Sequence, residues 1–279
     1  HGGAAVTDGG TPVPGGTAAF TGQDLTALPR TYTVTAADGS TQAYTLTAVT
    51  VAYGKAELLG DIAAAPAGGT VTLPDEADIS LDGTITITKN ITVQTEPGGT
   101  ATITQTANNS AIFEVMAVGA TLTLDGNGGT LILDGNKGTG IASQYGLVTV
   151  GGATSFIMKS GVTIQNNRSA DNGGGVWLFG GTFTMDGGTI TGNEGDYGGG
   201  VYLSGIGSTF TMNGGTITGN TAVHGGGGVY NAGNTFNMNG GTITGNTALM
   251  GAGGVHNNSG TVTGTGTAIS GNTPNDKNW

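Results

Sequence analysis

The chain has 279 residues, with 58 glycines, no cysteine, 9% charged residues and a formal net charge of −11. Absence of cysteine excludes disulfide frameworks and thiolate metal sites, and seven Lys and Arg against eighteen Asp and Glu are too few cations to neutralise phosphates, which excludes nucleic acid and anionic membranes as expected partners. No apolar run approaches the roughly 20 residues that span a bilayer, and glycine without a three-residue period is not collagen, so the excess is read as turns.

In chain order, residues 1–16, "HGGAAVTDGGTPVPGG", show no apolar period and are predicted to be a flexible lead. The chain opens on His1 rather than Met, so a processed or trimmed form is expected, with export as the corresponding expectation. Two alternating runs, Thr31 to Ala36 and Thr41 to Val51, flank "ADGS" and predict a β-hairpin within residues 17–51. The phrase "YTVTAADGSTQAYTLT" resembles the last strands of cadherin-like and immunoglobulin-like sandwich modules of bacterial surface proteins, which implies a partial β-sandwich.

Residues 52–69 predict a short helix from Lys55 to Ala64, stopped by Pro66 and the pair Gly68-Gly69. Strands are expected near Val71 to Leu73, at Thr84 to Thr88 and after Lys89. A helix followed by short strands resembles the entry to a right-handed parallel β-helix of the pectate-lyase-like superfamily. The resemblance implies that the helix covers the open end of the first coil.

Strict repeats occupy residues 155–273 within a solenoid expected over 70–279. Phe156, Phe183, Phe210, Phe236 and Val262 recur at steps of 27, 27, 26 and 26 residues. Met158, Met185, Met212 and Met238 keep the same frame, as do Ile164, Ile190, Ile217, Ile243 and Ile269, then Val176, Val201, Val229 and Val255. A period in this range means a solenoid, propeller or array. Glycine and β-branched alternation exclude helical repeats, and 26 or 27 residues are too few for a four-stranded blade. The fold class predicted is all-β: a right-handed parallel β-helix, three strands per coil, about seven coils at ~4.8 Å each.

Several columns could carry function. Asn167, Asn193, Asn220, Asn246 and Asn272 follow each inward Ile by three residues, as a stacked amide ladder would require. Glycine runs 198–200 and 225–228 are expected at positive φ in coil corners. Trp177, Tyr202, Tyr230 and His256 follow the inward valines and should face outward, as a ligand stripe for sugar rings or a protein, or as a mutual stack that strengthens the rod. Thr189, Thr216 and Thr242 beside Thr191, Thr218 and Thr244 form a hydroxyl array that resembles the faces of ice-binding solenoids.

The polysaccharide lyases and hydrolases of the β-helix superfamily use clustered carboxylates with Arg or Lys. Here arginine is limited to Arg30 and Arg168, while Asp125, Asp134, Asp171, Asp186, Glu194 and Asp196 are scattered singly. No pair suits acid and base roles, so no catalytic residue is assigned. Calcium is a possible ligand at Asp75, Glu76 and Asp78, near Asp82, and at Glu194 and Asp196, without a recognised calcium spacing. His1, His224 and His256 lack metal-ligand spacing.

The phrases "GGTITGNTA" and "GGGVY" resemble glycine-rich repeats of bacterial cell-surface β-helix proteins, including autotransporter passengers and chlamydial polymorphic outer-membrane proteins. That implies surface display. The expected function is a secreted or cell-surface, non-enzymatic adhesin or structural subunit that self-associates head to tail into filaments, since a solenoid needs caps to stay soluble. The alternatives are a β-helix that binds or cleaves polysaccharide, with a glycan or protein as partner, and an ice-binding protein.

Overall fold

A computed structural model describes residues 5–8, 11–13, 30–35, 41–46, 53–140, 143–170, 173–264 and 268–278. The chain divides into two units, His1–Ala52 and Tyr53–Trp279.

The first unit contains a four-stranded antiparallel sheet in the order Thr11–Val13, Ala5–Asp8, Arg30–Thr35, Thr41–Leu46. The last two strands are the predicted hairpin, with Tyr32 opposite Tyr44; its "ADGS" turn and residues 47–51 lie outside the described residues. The segment expected to be a flexible lead instead supplies two strands. Val6 pairs with Val13, and Ala5 with Thr35. The β-branched residues on either side of Gly9-Gly10 are a hairpin signal too short to show as an apolar period.

The second unit begins with helix α1, Lys55–Ala64. The Glu57 carboxylate accepts a hydrogen bond from the Gly54 N–H at 3.0 Å, satisfying one of the free donors at the helix start. Leu58 and Ile62, four residues apart and so on one face, are buried in the same core as the first solenoid strands. The Lys89 ammonium donates to the carbonyls of Ala63 and Ala65 near the other end.

The remainder is an all-parallel β-solenoid of about seven turns, three sheets of eight strands each. We call them by their inward residues. The phenylalanine sheet runs from Gly69–Leu73 to Thr261–Gly264, the isoleucine sheet from Ala77–Leu81 to Ile269–Ser270, and the valine sheet from Ile85–Ile87 to Lys277–Asn278. Strand side chains alternate, so Phe183 and Met185 are buried while Thr182 is exposed and Thr184 half-buried. Register places Phe156, Phe183, Phe210, Phe236 and Val262 in one column. The four phenylalanine rings stack at 4.9, 4.7 and 4.9 Å with interplanar angles of 10° or less, matching the strand spacing. Each fully buried ring stabilises the rod by ~1.5–3 kcal/mol.

Two features lay outside the sequence expectation. The strand Ala77–Leu81 occupies part of what reads as an acidic turn, with Ala77, Ile79 and Leu81 buried and Asp78 and Ser80 exposed. A fourth short parallel sheet, Glu194–Tyr197, Thr221–Gly225 and Thr247–Ala248, follows the isoleucine sheet in three consecutive coils. Its glycine-interrupted strands carry little alternation.

The glycine runs meet the expectation in part: Gly198, Gly225 and Gly226 have positive φ, but Gly200 and Gly228 do not. A Cβ on Gly228 would lie 2.7 Å from the Gly254 carbonyl oxygen and 2.8 Å from Ile243 Cγ2. Glycine is required there because neighbouring coils approach too closely for any side chain.

Candidate functional site

The five asparagines lie in the corner after the isoleucine sheet, and three of them, Asn193, Asn220 and Asn246, are 0% exposed. The Asn193 backbone N–H and Nδ2 both donate to Asn220 Oδ1, at 3.0 and 3.1 Å, while Nδ2 also reaches the Ile164 carbonyl at 3.0 Å. Asn220 and Asn246 repeat the pattern one coil further on. Asn272 hands its backbone N–H and Nδ2 to Asp276 Oδ1, at 2.9 and 3.1 Å. A buried amide must be satisfied, and each rung here joins three coils. At the other end Asn167 Nδ2 holds the carbonyls of Tyr145 and Gly174 at 3.0 and 2.6 Å, so the ladder also fixes where Tyr145 sits.

The aromatic column is continuous in register: Thr149 pairs with Trp177, Trp177 with Tyr202, Tyr202 with Tyr230 and Tyr230 with His256. Its two halves differ. In the C-terminal half, Tyr197 and His224 from the fourth sheet fold over the column. Tyr197 meets Tyr202, His224 and Tyr230 at 5.8, 4.9 and 4.9 Å, and Tyr230 stacks on His256 at 4.8 Å and 6°. Tyr230, expected to face solvent as part of a stripe, is therefore only 7% exposed. Burial raises the pKa of the Tyr202 and Tyr230 phenols, offset at Tyr230 by the Asn258 side chain, and burial lowers that of His256. Tyr197, which the repeat frame missed, and His224, weighed only as a metal ligand, sit on strands that the repeat pattern does not announce.

In the N-terminal half no ring of the fourth sheet meets the column among the described residues, and Trp177 is half-buried. Trp177 has Tyr145 at 5.9 Å and Phe179 at 5.7 Å, tilted by 35° and 57°, and Phe179 is 54% exposed. The indole N–H donates to Ser204 Oγ at 2.7 Å, and that hydroxyl donates to the Leu178 carbonyl at 3.1 Å. Ser204 is the register partner of Phe179, one coil beyond Trp177 and two positions along. The indole thus reaches from its own strand to the next coil and is half-buried. Tyr145 and Phe179 are aromatic partners that the repeat frame did not single out; the alternation in "VWLF" is the signal that places Phe179 beside Trp177.

The calcium candidates do not converge. The Asp75 carboxylate accepts from the backbone N–H groups of Glu76 and Thr100 at 3.0 and 2.7 Å, and Asp78 lies on a strand. Glu194 meets Lys137 at 3.0 Å and Arg168 at 3.8 Å, while Asp196 is 3.9 Å from His224. Glu194 and Asp196 border a groove of ≈ 350 Å³ whose other walls include Ala222, Val223 and Leu249. Among the described residues no three His, Asp or Glu side chains form a metal cluster. Asp125 pairs with Lys159, Asp134 with Gln165 and Asn166, and Asp186 with Asn213.

Threonines of the isoleucine sheet fall in register, Thr189 with Thr216 and Thr242, Thr191 with Thr218 and Thr244. A longer hydroxyl column lies on the phenylalanine sheet: Thr121, Ser155, Thr182, Thr209, Thr235 and Thr261. The adjacent column is broken by Ile157 and Asn237. Hydroxyls bond across coils, as Thr182 does to Ser155 at 2.9 Å and Thr216 with Thr242 at 3.3 Å, so they help hold neighbouring coils together.

No described helix is long and apolar enough to cross a membrane. Comparisons with protein-family models, with curated proteins and with solved structures find no match.

Proposed function

We propose that the chain is a secreted or cell-surface, non-enzymatic β-solenoid of the adhesin type, related in kind to the glycine-rich surface β-helix proteins of bacteria. The observation that carries this reading is the allocation of side chains around the coil. Inward columns are apolar, the buried corner amides bond to one another, and the carboxylates of Asp125, Asp134, Asp186 and Glu194 are each engaged by a separate partner. Acid and base catalysis calls for two positioned groups with separated pKa values; these carboxylates are instead spent singly. What is left outward is a large, charge-poor surface of hydroxyl, amide and aromatic groups on a rigid support, which suits adhesion.

Beads coated with the chain are expected to be retained on glycan-coated surfaces well above beads coated with an inert protein of equal charge. Equal retention overturns the reading. New reducing ends or unsaturated products from pectin-like polysaccharides would replace it with an enzyme.

The competing reading, a polysaccharide-binding β-helix, is favoured by the N-terminal half of the aromatic column. It merges with the first if the adhesin's ligand is a saccharide.

A further inference from the structure

We infer that Tyr145, Trp177 and Phe179 form the seat of a neutral saccharide, a pyranose ring packing against these rings beside the Thr149 hydroxyl. The inference rests on the adhesin reading and names its ligand class.

Three independent observations lead there. First, Tyr197 and His224 fold over the aromatic column in its C-terminal half but not at Trp177, which is half-buried, with Phe179 left 54% exposed beside it. Second, the indole is held by its bond to Ser204 Oγ at 2.7 Å, and the backbone that carries Tyr145 is held through its carbonyl by the Asn167 amide at 3.0 Å. The indole is thus preorganised, which lowers the entropy cost of binding. Third, Thr149 Oγ1 is buried without any hydrogen-bond partner, the one such side-chain atom among the described residues. Thr149 is 2% exposed, yet strand alternation puts it on the outward side, in register between Glu114 and Trp177. An orphaned hydroxyl is unfavourable in the free protein, and a ligand hydroxyl would supply its missing partner.

A flexible side chain lies on the same strand face as Thr149. A Cβ on Gly151 would lie 2.4 Å from Met116 Sδ, so the Met116 thioether covers the position two residues along from Thr149. Met116 is itself exposed, and an unbranched thioether changes rotamer easily. The Glu114 carboxylate, one coil away in the same column, is an acceptor for further ligand hydroxyls. A pyranose suits this mixture because it has an apolar face and a rim of hydroxyls, and the rest of the seat carries no charge. A protein partner would need ~1,000 Å² of complementary surface, more than these rings and their glycine corner offer.

The test is titration of the whole chain with cellotetraose, chitotetraose and trigalacturonate, followed by NMR or calorimetry, in parallel with bead retention. A neutral tetrasaccharide is expected to bind, with Trp177→Ala and Phe179→Ala each weakening it at least tenfold. Thr149→Val should weaken binding about fivefold without lowering the melting temperature, a readout that a purely structural role would not give. Tyr230→Phe, in the covered half, should leave affinity unchanged. If neither neutral saccharide binds at millimolar concentration, or if binding survives both aromatic substitutions, the saccharide seat is overturned. Bead retention on the glycan-coated surface that persists in that case leaves the adhesin reading standing, with the glycan seated elsewhere on the solenoid; loss of both removes both.

Discussion

At the residue scale the asparagines and His256 show how burial turns a polar side chain into a structural requirement. Removing the Asn220 amide leaves Asn193 without its acceptor and the Ile190 carbonyl without its donor. Asn220→Ala is expected to cost about 2–4 kcal/mol in urea unfolding, from one or two unsatisfied buried groups at ~1–3 kcal/mol each; a loss below about 0.5 kcal/mol would mean that water replaces the amide. The His256 ring is stacked on Tyr230, and burial holds its pKa below the usual imidazole value. The folded chain therefore binds fewer protons than the unfolded one once the pH falls below about 6.5, so stability declines as acidity increases through the lowered value. Melting temperatures measured from pH 7.5 to 5 should fall, and His256→Phe should reduce the slope; an unchanged slope would contradict this. The period of the asparagines could be read from the sequence. Their bonding partners could not, because carbonyls a coil away have no sequence signature.

At the scale of elements, what was legible followed from alternation. "TFTM" and "GTITG" recur with one apolar face, and the three main sheets use that face. Helix α1 was legible from its breakers, Pro66 and the glycine pair. The strand Ala77–Leu81 was hidden by its acidic start, and the fourth sheet by glycine and by the shift in pairing between Gly195 and Tyr197. That omission had a consequence for the candidate site: without the fourth sheet, nothing in the repeat distinguishes covered Tyr230 from half-buried Trp177. Two substitutions probe this level. Phe210→Ala opens a gap in a ring stack with neighbours at 4.7 and 4.9 Å and should cost ~3–5 kcal/mol in denaturant unfolding. Gly228→Ala forces a methyl to within 2.7 Å of a backbone oxygen, and overpacking of this sort costs ~1–3 kcal/mol. A neutral result for Gly228→Ala, seen as an unchanged melting temperature, would show that the coils are less tightly apposed than described.

At the scale of the whole molecule, the solenoid is a stack in which each coil's strands pair only with those of its neighbours, so stability is close to a sum of coil and interface contributions. Deleting Thr209 through Asn234, one full repeat by the step from Phe210 to Phe236, keeps every column in register. The shortened chain is expected to retain a β-rich circular dichroism spectrum and any ligand affinity at Trp177, with a lower melting temperature; an unfolded product would show that the coils are not interchangeable.

The asparagine ladder gives this stack a sense of direction. The backbone N–H of every rung donates toward the coil that follows it, the Oδ1 atoms accept from the coil before, and this sequence of donors finishes on the Asp276 carboxylate. Aligned amides of this kind add their dipoles as peptide groups do in a helix, with the positive end where the carboxylate stands. The rod is thus electrically polar along its axis. A coil inserted in the opposite sense would set donor against donor, so such a protein can be lengthened or shortened by whole turns but never reversed.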